Sequence, residues 1–348
     1  MKIEITDDSE DPLGKRHIIP RGPKARLVGG GLPEVISPHL LKLIYQTGGV
    51  SGPIGKQFVA QSRKEQRFAK KGITDPLSEE EHEVAPGLVY KYKGRVLWTV
   101  TKFCASYCRF CTRGREIGLN KNKLLSEAEI NQVWAFLGAH SEINEVIVSG
   151  GDPLTCPQDY LTKIVLGLAK LQQKGQIEIV RLGTRLPVHQ PSAVKEWHYR
   201  LLAQLKNPYL MVHLNHPAEL TPETIEILNN FRKIAMATVM SQTVLLKGVN
   251  DKPEILYKLF YKMSKEGIRP YYVYQNDPVY WAQHFTVPIK KAIELWGCLR
   301  PQLSGITATA RFVIDTPFGF GKIPIPEGNA WKVDYSEYTD FKKKRHQL

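Results

Sequence analysis

Hydrophobic and polar positions repeat along the chain from position 95 onward, with a period of about 30 residues. Each repeat contains a short apolar run rich in β-branched residues, then a loop, then an amphipathic helical pattern. The apolar runs predict six strands, at 95–101, 144–149, 177–182, 209–213, 234–239 and 270–274. Alternating β and α units predict a parallel sheet with right-handed crossovers, most simply a partial (βα)6 TIM-like barrel.

Residues that favour helix starts precede three of the helical patterns. Ser126 and Glu129 form a capping-box motif, and Thr221 stands before a proline at a predicted first helical position. Asp251 and Glu254 have the capping-box spacing and predict a third start. These signals place helices between the predicted strands.

The repeat divides the chain into three predicted regions. Residues 1–94 form an N-terminal extension, rich in proline, glycine and charge and partly helical, as at 38–44. Residues 95–285 form the barrel core. Residues 286–348 form a short C-terminal region with a basic tail.

Composition narrows the function classes. With 348 residues and 42% hydrophobic content, the chain can bury one large core. We find no signal peptide pattern and no run of about 18 apolar residues, so no membrane partner is expected. Three of the five cysteines lie in one loop, which argues against a disulfide framework and favours a reducing compartment, the cytoplasm.

The net charge of +14 is concentrated in part at 341–346, and like-charge runs are usually solvated tails. Such a charge could attract RNA or an acidic protein. The sequence has no recognisable nucleic-acid-binding module, so nucleic acid is not the expected partner.

Cys104, Cys108 and Cys111 form a C-x3-C-x2-C motif after the first predicted strand. Three thiolates can hold three irons of a [4Fe–4S] cluster and leave the fourth iron free to bind and reduce a small molecule such as S-adenosylmethionine. A zinc site is the alternative, but structural zinc favours four ligands. The motif resembles the signature of the radical SAM superfamily. Cys156 and Cys298 are interpreted as inert core thiols.

Polar or glycine-rich segments follow all six predicted strands. Parallel barrels build their active sites at this rim. After the cysteine loop, these segments are 149–154, 183–187, 215–217, Gln242 at the end of the fifth strand, and 275–277. The sequence therefore predicts a single large site for cofactor and substrate.

The segment 149–154 has the sequence Ser-Gly-Gly-Asp-Pro-Leu. Gly150 and Gly151 would let the backbone approach a ligand closely, and Asp152 could accept hydrogen bonds from an ammonium group. An ordinary turn, with Asp152 as a helix cap, is the alternative. The neighbouring cysteine motif favours cofactor binding.

Lys322 lies in a loop rich in glycine and proline. Most lysines are exposed, but Phe318, Phe320, Ile323 and Ile325 would partly desolvate this one and lower its pKa. The result would be a better nucleophile toward an aldehyde. Because the glycines also offer N–H groups to a phosphate, the loop suits pyridoxal phosphate.

Taken together, these segments resemble the lysine 2,3-aminomutase family, which combines radical SAM chemistry with pyridoxal phosphate. The resemblance extends over about residues 85–325 and is carried by 86–97, Cys104 to Arg113, 149–154, 214–217, 241–251, 270–272, Asp277, and Asp315 with Lys322.

The resemblance implies a role for each matched residue. Cys104, Cys108 and Cys111 would bind the cluster; Gly150, Gly151 and Asp152 would line the S-adenosylmethionine site; Arg95 would hold the pyridoxal phosphate group, Lys322 would form its internal aldimine and Gln242 would line the cofactor site; Arg113 would bind the substrate carboxylate, and Asp277 and Asp315 its distal ammonium.

The implied enzyme is an isomerase that moves the α-amino group of L-lysine, or of a close diamino acid, to the β-carbon and gives β-lysine. The cluster, reduced by a flavodoxin- or ferredoxin-type donor, would cleave S-adenosylmethionine to a 5′-deoxyadenosyl radical that acts on the substrate aldimine. Stereochemistry, ornithine or arginine as substrate, and a homo-oligomer stay open.

Two departures from the family pattern bear on function. The region after Lys322 is much shorter than in the long aminomutases, and Lys91 stands where they tend to have arginine. Compact size favours the branch that makes β-lysine for elongation factor P, whereas Asp315 and the lysine loop resemble the free-lysine enzymes. A radical SAM enzyme that modifies RNA is a less favoured alternative.

Overall fold

The computed structural model of the chain describes residues 32–67, 72–117, 124–317, 321–325, 337–339 and 344–347. Its main element is a ten-stranded sheet in which the strands follow one another in chain order. The strands are β1 Glu83–Ala85, β2 Leu88–Tyr92, β3 Arg95–Thr101, β4 Glu145–Gly150, β5 Ile179–Thr184, β6 Tyr209–His213, β7 Thr238–Leu245, β8 Arg269–Gln275, β9 Arg311–Asp315 and β10 Lys322–Pro324. A separate antiparallel pair joins β11 Glu337–Thr339 to β12 Arg345–Gln347.

Helices precede and connect the strands. They are α1 Pro38–Gln46, α2 Pro53–Phe58, α3 Ser62–Arg67, α4 Glu127–Ala139, α5 Gln158–Gln173, α6 Leu186–His189, α7 Glu196–Leu202, α8 Pro222–Ile234, α9 Pro253–Lys265 and α10 Ile289–Leu299. Strands β3 to β9 run parallel to their neighbours, with antiparallel β2 and β1 at one edge and β10 at the other. This open parallel sheet confirms the predicted partial TIM-like barrel and adds β9 as a seventh parallel strand.

The fifth predicted strand was placed too early. The run 234–239 starts inside α8, which ends at Ile234, and Met236 has a positive φ of 52° where the chain turns toward β7. Strand β7 therefore begins at Thr238, and Gln242 lies within it instead of at its end. Apolar residues continue across the helix end, so hydrophobicity alone could not mark this boundary.

Two of the three predicted helix starts are confirmed. The Ser126 side chain accepts a hydrogen bond from the Glu129 amide while Glu129 accepts one from the Ser126 amide, and Thr221 caps α8. The third is wrong in detail. Asp251 accepts from the Gly248 amide at 2.8 Å, and Lys252 occupies the N-cap position of α9 without a side-chain cap.

Strand alternation assigns one face to the core and one to the barrel interior. In β4, Val146 and Val148 are fully buried in the main hydrophobic core, which also contains apolar residues of α4 and α5. The intervening residues Ile147 and Ser149 line a cavity inside the barrel. Successive side chains of a strand point to opposite faces, so the sheet itself separates packing from chemistry.

The open side of the barrel is crossed by residues 72–82, which we call the strap. Its Ile73 amide donates to the Pro278 carbonyl at 2.9 Å, beyond β8. Lys91 of β2 donates to the carbonyls of Leu77 in the strap and of Thr316 after β9, at 3.0 and 2.5 Å. These contacts join the two edges of the sheet.

The sheet extends beyond the predicted core, because β1 and β2 precede residue 95 and β9 and β10 follow residue 285. The division into three regions stays a prediction. Among the residues that the structure describes, no helix is both long and apolar enough to cross a membrane.

A buried ion pair attaches the cysteine loop to the N-terminal helices. The Nε and Nη2 atoms of Arg109 donate to the two carboxylate oxygens of Glu65 in α3, at 2.9 and 2.6 Å. Both side chains are fully buried. The Nη1 atom of Arg109 donates to the carbonyls of Leu32 and Pro33. The loop is therefore fixed from outside as well as by β3.

Replacing Glu65 by glutamine should destabilise the fold, because it leaves the Arg109 charge buried without its counter-ion. We expect the free energy of unfolding to fall by about 3–5 kcal/mol in denaturant titrations. The matched control is Glu196→Gln, which removes an exposed i,i+4 pair with Arg200. This change should cost less than about 0.5 kcal/mol. Equal losses in the two variants would contradict the role given to the Glu65–Arg109 pair.

Candidate active site

A cavity of about 430 Å³ lies inside the barrel at the carboxyl ends of the strands. All twelve residues that the sequence predicted for the site line it: Arg95, Cys104, Cys108, Cys111, Arg113, Gly150, Gly151, Asp152, Gln242, Asp277, Asp315 and Lys322. They come from segments more than two hundred positions apart in the chain. The barrel therefore brings the predicted residues together at one place.

The three cysteines stand at one end of the cavity. Burial, with an added contribution from Cys108, raises the pKa of the Cys111 thiol to about 12. Burial also raises the pKa of Cys104 and of Cys108. Three such thiols become thiolates together only beside strong positive charge, which cluster irons would supply.

The cysteine loop does not have the geometry of a zinc site. In the part of the chain that the structure describes, no group of three His, Cys, Asp or Glu side chains is arranged to hold one metal ion. A cubane cluster does not require such a group, because each thiolate binds a different iron. The loop thus fits a cluster with three protein ligands.

Arg185 adds a cation to the cysteine end. Its Nη1 lies 2.8 Å from the Cys108 sulfur, and its Nη2 donates to Gln57 and Glu219 at 2.7 and 3.1 Å. His189 lies 3.6 Å from the same sulfur. Sequence analysis singled out the segment 183–187 but not this arginine. A buried guanidinium beside a thiol favours the thiolate form that binds iron.

The segment after β4 forms the turn with an Asp152 cap that was the alternative to cofactor binding. A side chain at Gly151 would meet the Phe103 carbonyl oxygen at 2.1 Å, so the cysteine loop itself requires glycine here. The Asp152 carboxylate accepts from the Leu154 amide, the Thr184 hydroxyl and the Arg185 amide at 3.1, 2.8 and 2.7 Å. Asp152 is therefore a cap that joins β4 to β5, and contact with an ammonium group stays a prediction.

Lys322 and Asp315 stand at the other end of the cavity. They are directly paired residues of β10 and β9, and the Lys322 Nζ lies 2.8 Å from the Asp315 carboxylate and 5.7 Å from the centre of the Tyr274 ring. Phe318 and Phe320, which were expected to desolvate Lys322, lie outside the described residues. The environment that we observe around Lys322 is therefore the cavity itself, with the Asp315 carboxylate and the Tyr274 ring beside the ammonium group.

Asp277 differs from the other charged residues of the cavity. Burial raises its pKa to about 8, and the nearby Asp315 carboxylate adds to the effect. No hydrogen bond to its carboxylate is observed within the described ranges. Asp277 thus holds a proton near neutral pH until a cation approaches.

Arg95 and several tyrosines form the wall between the two ends. The Arg95 guanidinium lies 4.3 Å from the centre of the Tyr92 ring. The Tyr92 hydroxyl is buried without a hydrogen-bond partner among the described residues. An arginine beside an unsatisfied hydroxyl suits a phosphate group. Gln242 contacts the Tyr274 hydroxyl at 3.4 Å.

The aromatic lining includes Tyr271, Tyr272 and Tyr274 of β8. Flat aromatic walls suit a planar ring such as that of pyridoxal phosphate. Sequence analysis counted this strand but not its side chains, although the run Tyr-Tyr-Val-Tyr at 271–274 was a visible signal. The residues present therefore fit the cofactor that the resemblance implies.

Arg113 has a partner that sequence analysis missed. Its Nε and Nη2 donate to the carboxylate of Glu79 in the strap, at 2.8 and 2.6 Å. Burial alone would raise the pKa of Glu79, but Arg113 holds it below its usual value. Glu79 lies in a run of acidic residues, a pattern that is typical of a solvated loop. Nothing in the local sequence therefore predicts that Glu79 is buried beside Arg113.

Comparison with known proteins agrees with this geometry. The Radical SAM superfamily profile matches residues 98–260. The chain is 34% identical to the L-lysine 2,3-aminomutase of Methanococcus maripaludis over 84% of its own length and 66% of the relative. It is 35% identical to a putative L-lysine 2,3-aminomutase of Aquifex aeolicus, over 85% and 78%. The chain spans about two thirds of the length of the Methanococcus relative.

A third relative is named for a different substrate. The glutamate 2,3-aminomutase of Clostridioides difficile is 34% identical over 86% of this chain and 68% of the relative. Identity of this degree is thus shared between aminomutases named for a diamino acid and for a dicarboxylic acid. The choice between them must come from the site.

Removing any one of Cys104, Cys108 or Cys111 should abolish cluster retention, since each is expected to bind a separate iron. Alanine variants reconstituted anaerobically should contain little iron and sulfide and lack the cluster absorbance. Two controls test the assignment. Cys156 is buried outside the cavity, and Cys298 is exposed instead of lying in the core as predicted. Cys156→Ala and Cys298→Ser should keep the cluster, and loss in Cys156→Ala alone would contradict a three-cysteine site.

Proposed function

We propose, because the chain belongs to the lysine 2,3-aminomutase family of radical SAM proteins, that it moves the α-amino group of L-lysine to the β-carbon and gives β-lysine. The family is one of isomerases. A small amino acid is the class of substrate that its relatives' names indicate. Use of pyridoxal phosphate and the choice of lysine are the parts of the proposal that go beyond family membership.

The observation that carries the choice of lysine is the acidic end of the cavity. Asp315 already pairs with an ammonium group, that of Lys322, at 2.8 Å. If Lys322 held pyridoxal phosphate, its nitrogen would no longer be a free ammonium partner for Asp315. Asp277 lies close enough for Asp315 to raise its pKa. Two carboxylates without a cation favour a ligand that brings one.

The same end of the cavity argues against a dicarboxylic substrate. A distal carboxylate would add a negative charge beside Asp315 and beside Asp277, whose carboxyl group already resists ionisation in this buried place. The nearby cations are Lys322, which pairs with Asp315, and Lys91, which already donates to two carbonyls. An unpaired charge in a closed site costs several kcal/mol. Removing one partner of a buried ion pair destabilises a protein by a similar amount. Lysine therefore fits better than glutamate.

The cofactors divide the work between the two ends of the cavity. When bound, the [4Fe–4S] cluster and S-adenosylmethionine supply hydrogen-atom abstraction, and pyridoxal phosphate supplies a conjugated carbonyl for the amine. Cys104, Cys108 and Cys111 would hold the cluster, with Gly150 and Gly151 beside it. Arg95 would bind the phosphate of pyridoxal phosphate, and Lys322 would hold its carbonyl carbon.

The chain itself positions the substrate and excludes water. Arg113 would bind the α-carboxylate, and Asp277 with Asp315 would bind the distal ammonium, so that both ends of the substrate are fixed. Gln242 would contact the cofactors from β7. The strap covers the open side of the barrel and keeps solvent from the reacting carbons.

Free β-lysine and β-lysine for elongation factor P remain two outcomes of the same proposal, because both begin with lysine. Reduction of the cluster requires an external one-electron donor, for which a flavodoxin or ferredoxin stays the prediction. Self-association also stays a prediction.

An anaerobic assay tests the proposed function. The reconstituted protein is incubated with S-adenosylmethionine, dithionite and pyridoxal phosphate, and with lysine, ornithine, arginine or glutamate in separate reactions. Derivatised products are identified by mass spectrometry. We expect β-lysine from lysine and no conversion of glutamate. Conversion of glutamate alone would contradict the role of the two aspartates.

Lys322→Ala should lose the covalent link to pyridoxal phosphate but keep the cluster. Borohydride reduction followed by peptide mapping should locate the pyridoxyl group on Lys322 in the unmodified chain. Lys91 is a demanding control because it lines the same cavity, and burial lowers its pKa. Lys91→Ala should retain the link at Lys322. A pyridoxyl group on Lys91 would contradict the assignment.

Lysine binding should strengthen as pH rises toward 8. Below the pKa of Asp277, about 8, the incoming ammonium must displace a proton from this carboxyl, whereas above it the carboxylate is ready. The ratio of lysine to norleucine affinity should therefore rise by up to about tenfold per pH unit between pH 6.5 and 8 and then level off. Norleucine shares the α-amino group and lacks the distal one, so the ratio cancels α-amine titration.

Asp277→Asn should flatten this pH profile and lower the ratio at pH 8. Isothermal titration of the protein loaded with pyridoxal phosphate, without S-adenosylmethionine, measures both affinities. A steep profile that persists in Asp277→Asn would assign the proton to another group.

A further inference from the structure

The strap is attached to the barrel at three positions that precede Glu79. Ile73 pairs with Val279 in a parallel bridge, and the Tyr280 amide donates to the Ile73 carbonyl. The Asp75 carboxylate lies 3.3 Å from Arg115 of the cysteine loop. The Leu77 carbonyl accepts from Lys91. The strap is thus held to three separate parts of the barrel.

A strained turn directs Glu79 inward. Ser78 has a φ of 51°, in the left-handed region that residues other than glycine rarely adopt. The Asp75 carboxylate accepts from the Glu80 amide at 3.0 Å and supports this turn. As a result the Glu79 side chain is 10% exposed, whereas that of its neighbour Glu80 is 65% exposed. Strain of this kind is kept where the surrounding structure imposes a conformation.

Glu79 occupies one edge of the Arg113 guanidinium and leaves another open. It binds the Nε and Nη2 atoms, which form the side edge of the group. The Nη1 atom makes long contacts with the Ser149 hydroxyl and the Gly150 carbonyl, at 3.4 and 3.5 Å. The end edge, formed by Nη1 and Nη2, binds no second carboxylate among the described residues. A guanidinium can bind one carboxylate on each of these edges.

We propose that Glu79 is a positioning residue for substrate recognition: it holds Arg113 from the side so that the end edge of the guanidinium faces the cavity and receives the α-carboxylate of the substrate. The inference rests on the proposed function and extends it to the strap. Without Glu79, the long arginine side chain loses its fixed orientation. The charge of Arg113 would remain, but its geometry would not.

The competing interpretation makes Glu79 a placeholder that the substrate carboxylate displaces. Displacement would leave a buried carboxylate without its cation, which is unfavourable. The strap would also have to leave its contacts with Val279 and Lys91. The open edge of Arg113 makes such an exchange unnecessary. The two interpretations predict opposite effects of removing the Glu79 charge.

The test compares two ligands that differ only in the α-carboxylate, L-lysine and 1,5-diaminopentane. Each is titrated into protein loaded with pyridoxal phosphate, in the absence of S-adenosylmethionine, and the shift in pyridoxal absorbance gives the Kd. The unmodified protein should bind lysine more tightly. In Glu79→Gln this preference should fall on the order of ten- to a hundredfold, the range of one charge-assisted contact, with the Kd for diaminopentane little changed.

Glu80→Gln is the matched control, because it makes the same substitution one position along the strap. Glu80 is exposed and binds Arg115 instead of Arg113. This variant should keep the full preference for lysine. Glu79→Asp retains the charge but is shorter by one methylene, so it should also lose much of the preference. Glu79→Asp replaces Glu79→Gln in the test if the latter does not fold. The iron and pyridoxal contents of the purified variant show whether it folds.

Several results would overturn the inference. A preference unchanged in both Glu79 variants would make the pair merely structural, and equal weakening of both ligands would assign it to folding of the strap. A stronger preference in Glu79→Gln would support the placeholder. If the unmodified protein does not prefer lysine, Arg113 is not the carboxylate receptor, and the proposed function loses that contact together with this inference. If the unmodified protein prefers lysine over 1,5-diaminopentane and the Glu79 variants keep that preference, this inference fails but the proposed function stands.

Discussion

Charge pairing inside a closed cavity is the constraint on which this site depends. Arg113 is held by Glu79, Lys322 by Asp315 and Arg185 by Glu219. The three thiols and Asp277 also line the cavity, and burial raises their pKa values. Burial disfavours their charged forms until a cation arrives. These are the two places where a cluster and an ammonium group are expected.

The fold makes this concentration of charge tolerable. Parallel strands point one set of side chains into the hydrophobic core and the other into the cavity, so Val146 and Val148 pack in the core while Ile147 and Ser149 line the cavity. The partial barrel is open on one side, and the strap and Lys91 join its edges there. A cavity formed in this way can admit large cofactors and still be closed around them.

The sequence predicted the parts of the site that depend on local pattern. Cysteine spacing, strand periodicity and the position of loops after strands were enough to place Cys104, Asp277 and Lys322 around one cavity. Partners distant in the chain were not predictable. Glu79 and Arg113 are 34 positions apart and meet only because the strap crosses the barrel. Their pairing depends on the tertiary fold, not on either local sequence.

The places of the predicted residues are observed in the structure, whereas their roles stay predictions. Asp152 belongs to the glycine-rich motif, and its carboxylate accepts hydrogen bonds from Leu154, Thr184 and Arg185. A carboxylate at the start of a helical turn can cap that turn by accepting from its free amides. A motif thus identifies a neighbourhood, and the contacts decide what each side chain does there.

The central claim is that the cysteine end and the lysine end of the cavity act on one substrate. Transfer of deuterium tests it most directly. Lysine deuterated at the β-carbon is incubated with the reconstituted protein, S-adenosylmethionine and reductant, and the deuterium content of 5′-deoxyadenosine and recovered S-adenosylmethionine is measured by mass spectrometry. The account predicts that deuterium enters the 5′ position from the β-carbon. If S-adenosylmethionine is cleaved as fast with deuterated as with unlabelled lysine and no deuterium appears in 5′-deoxyadenosine, the central claim is contradicted.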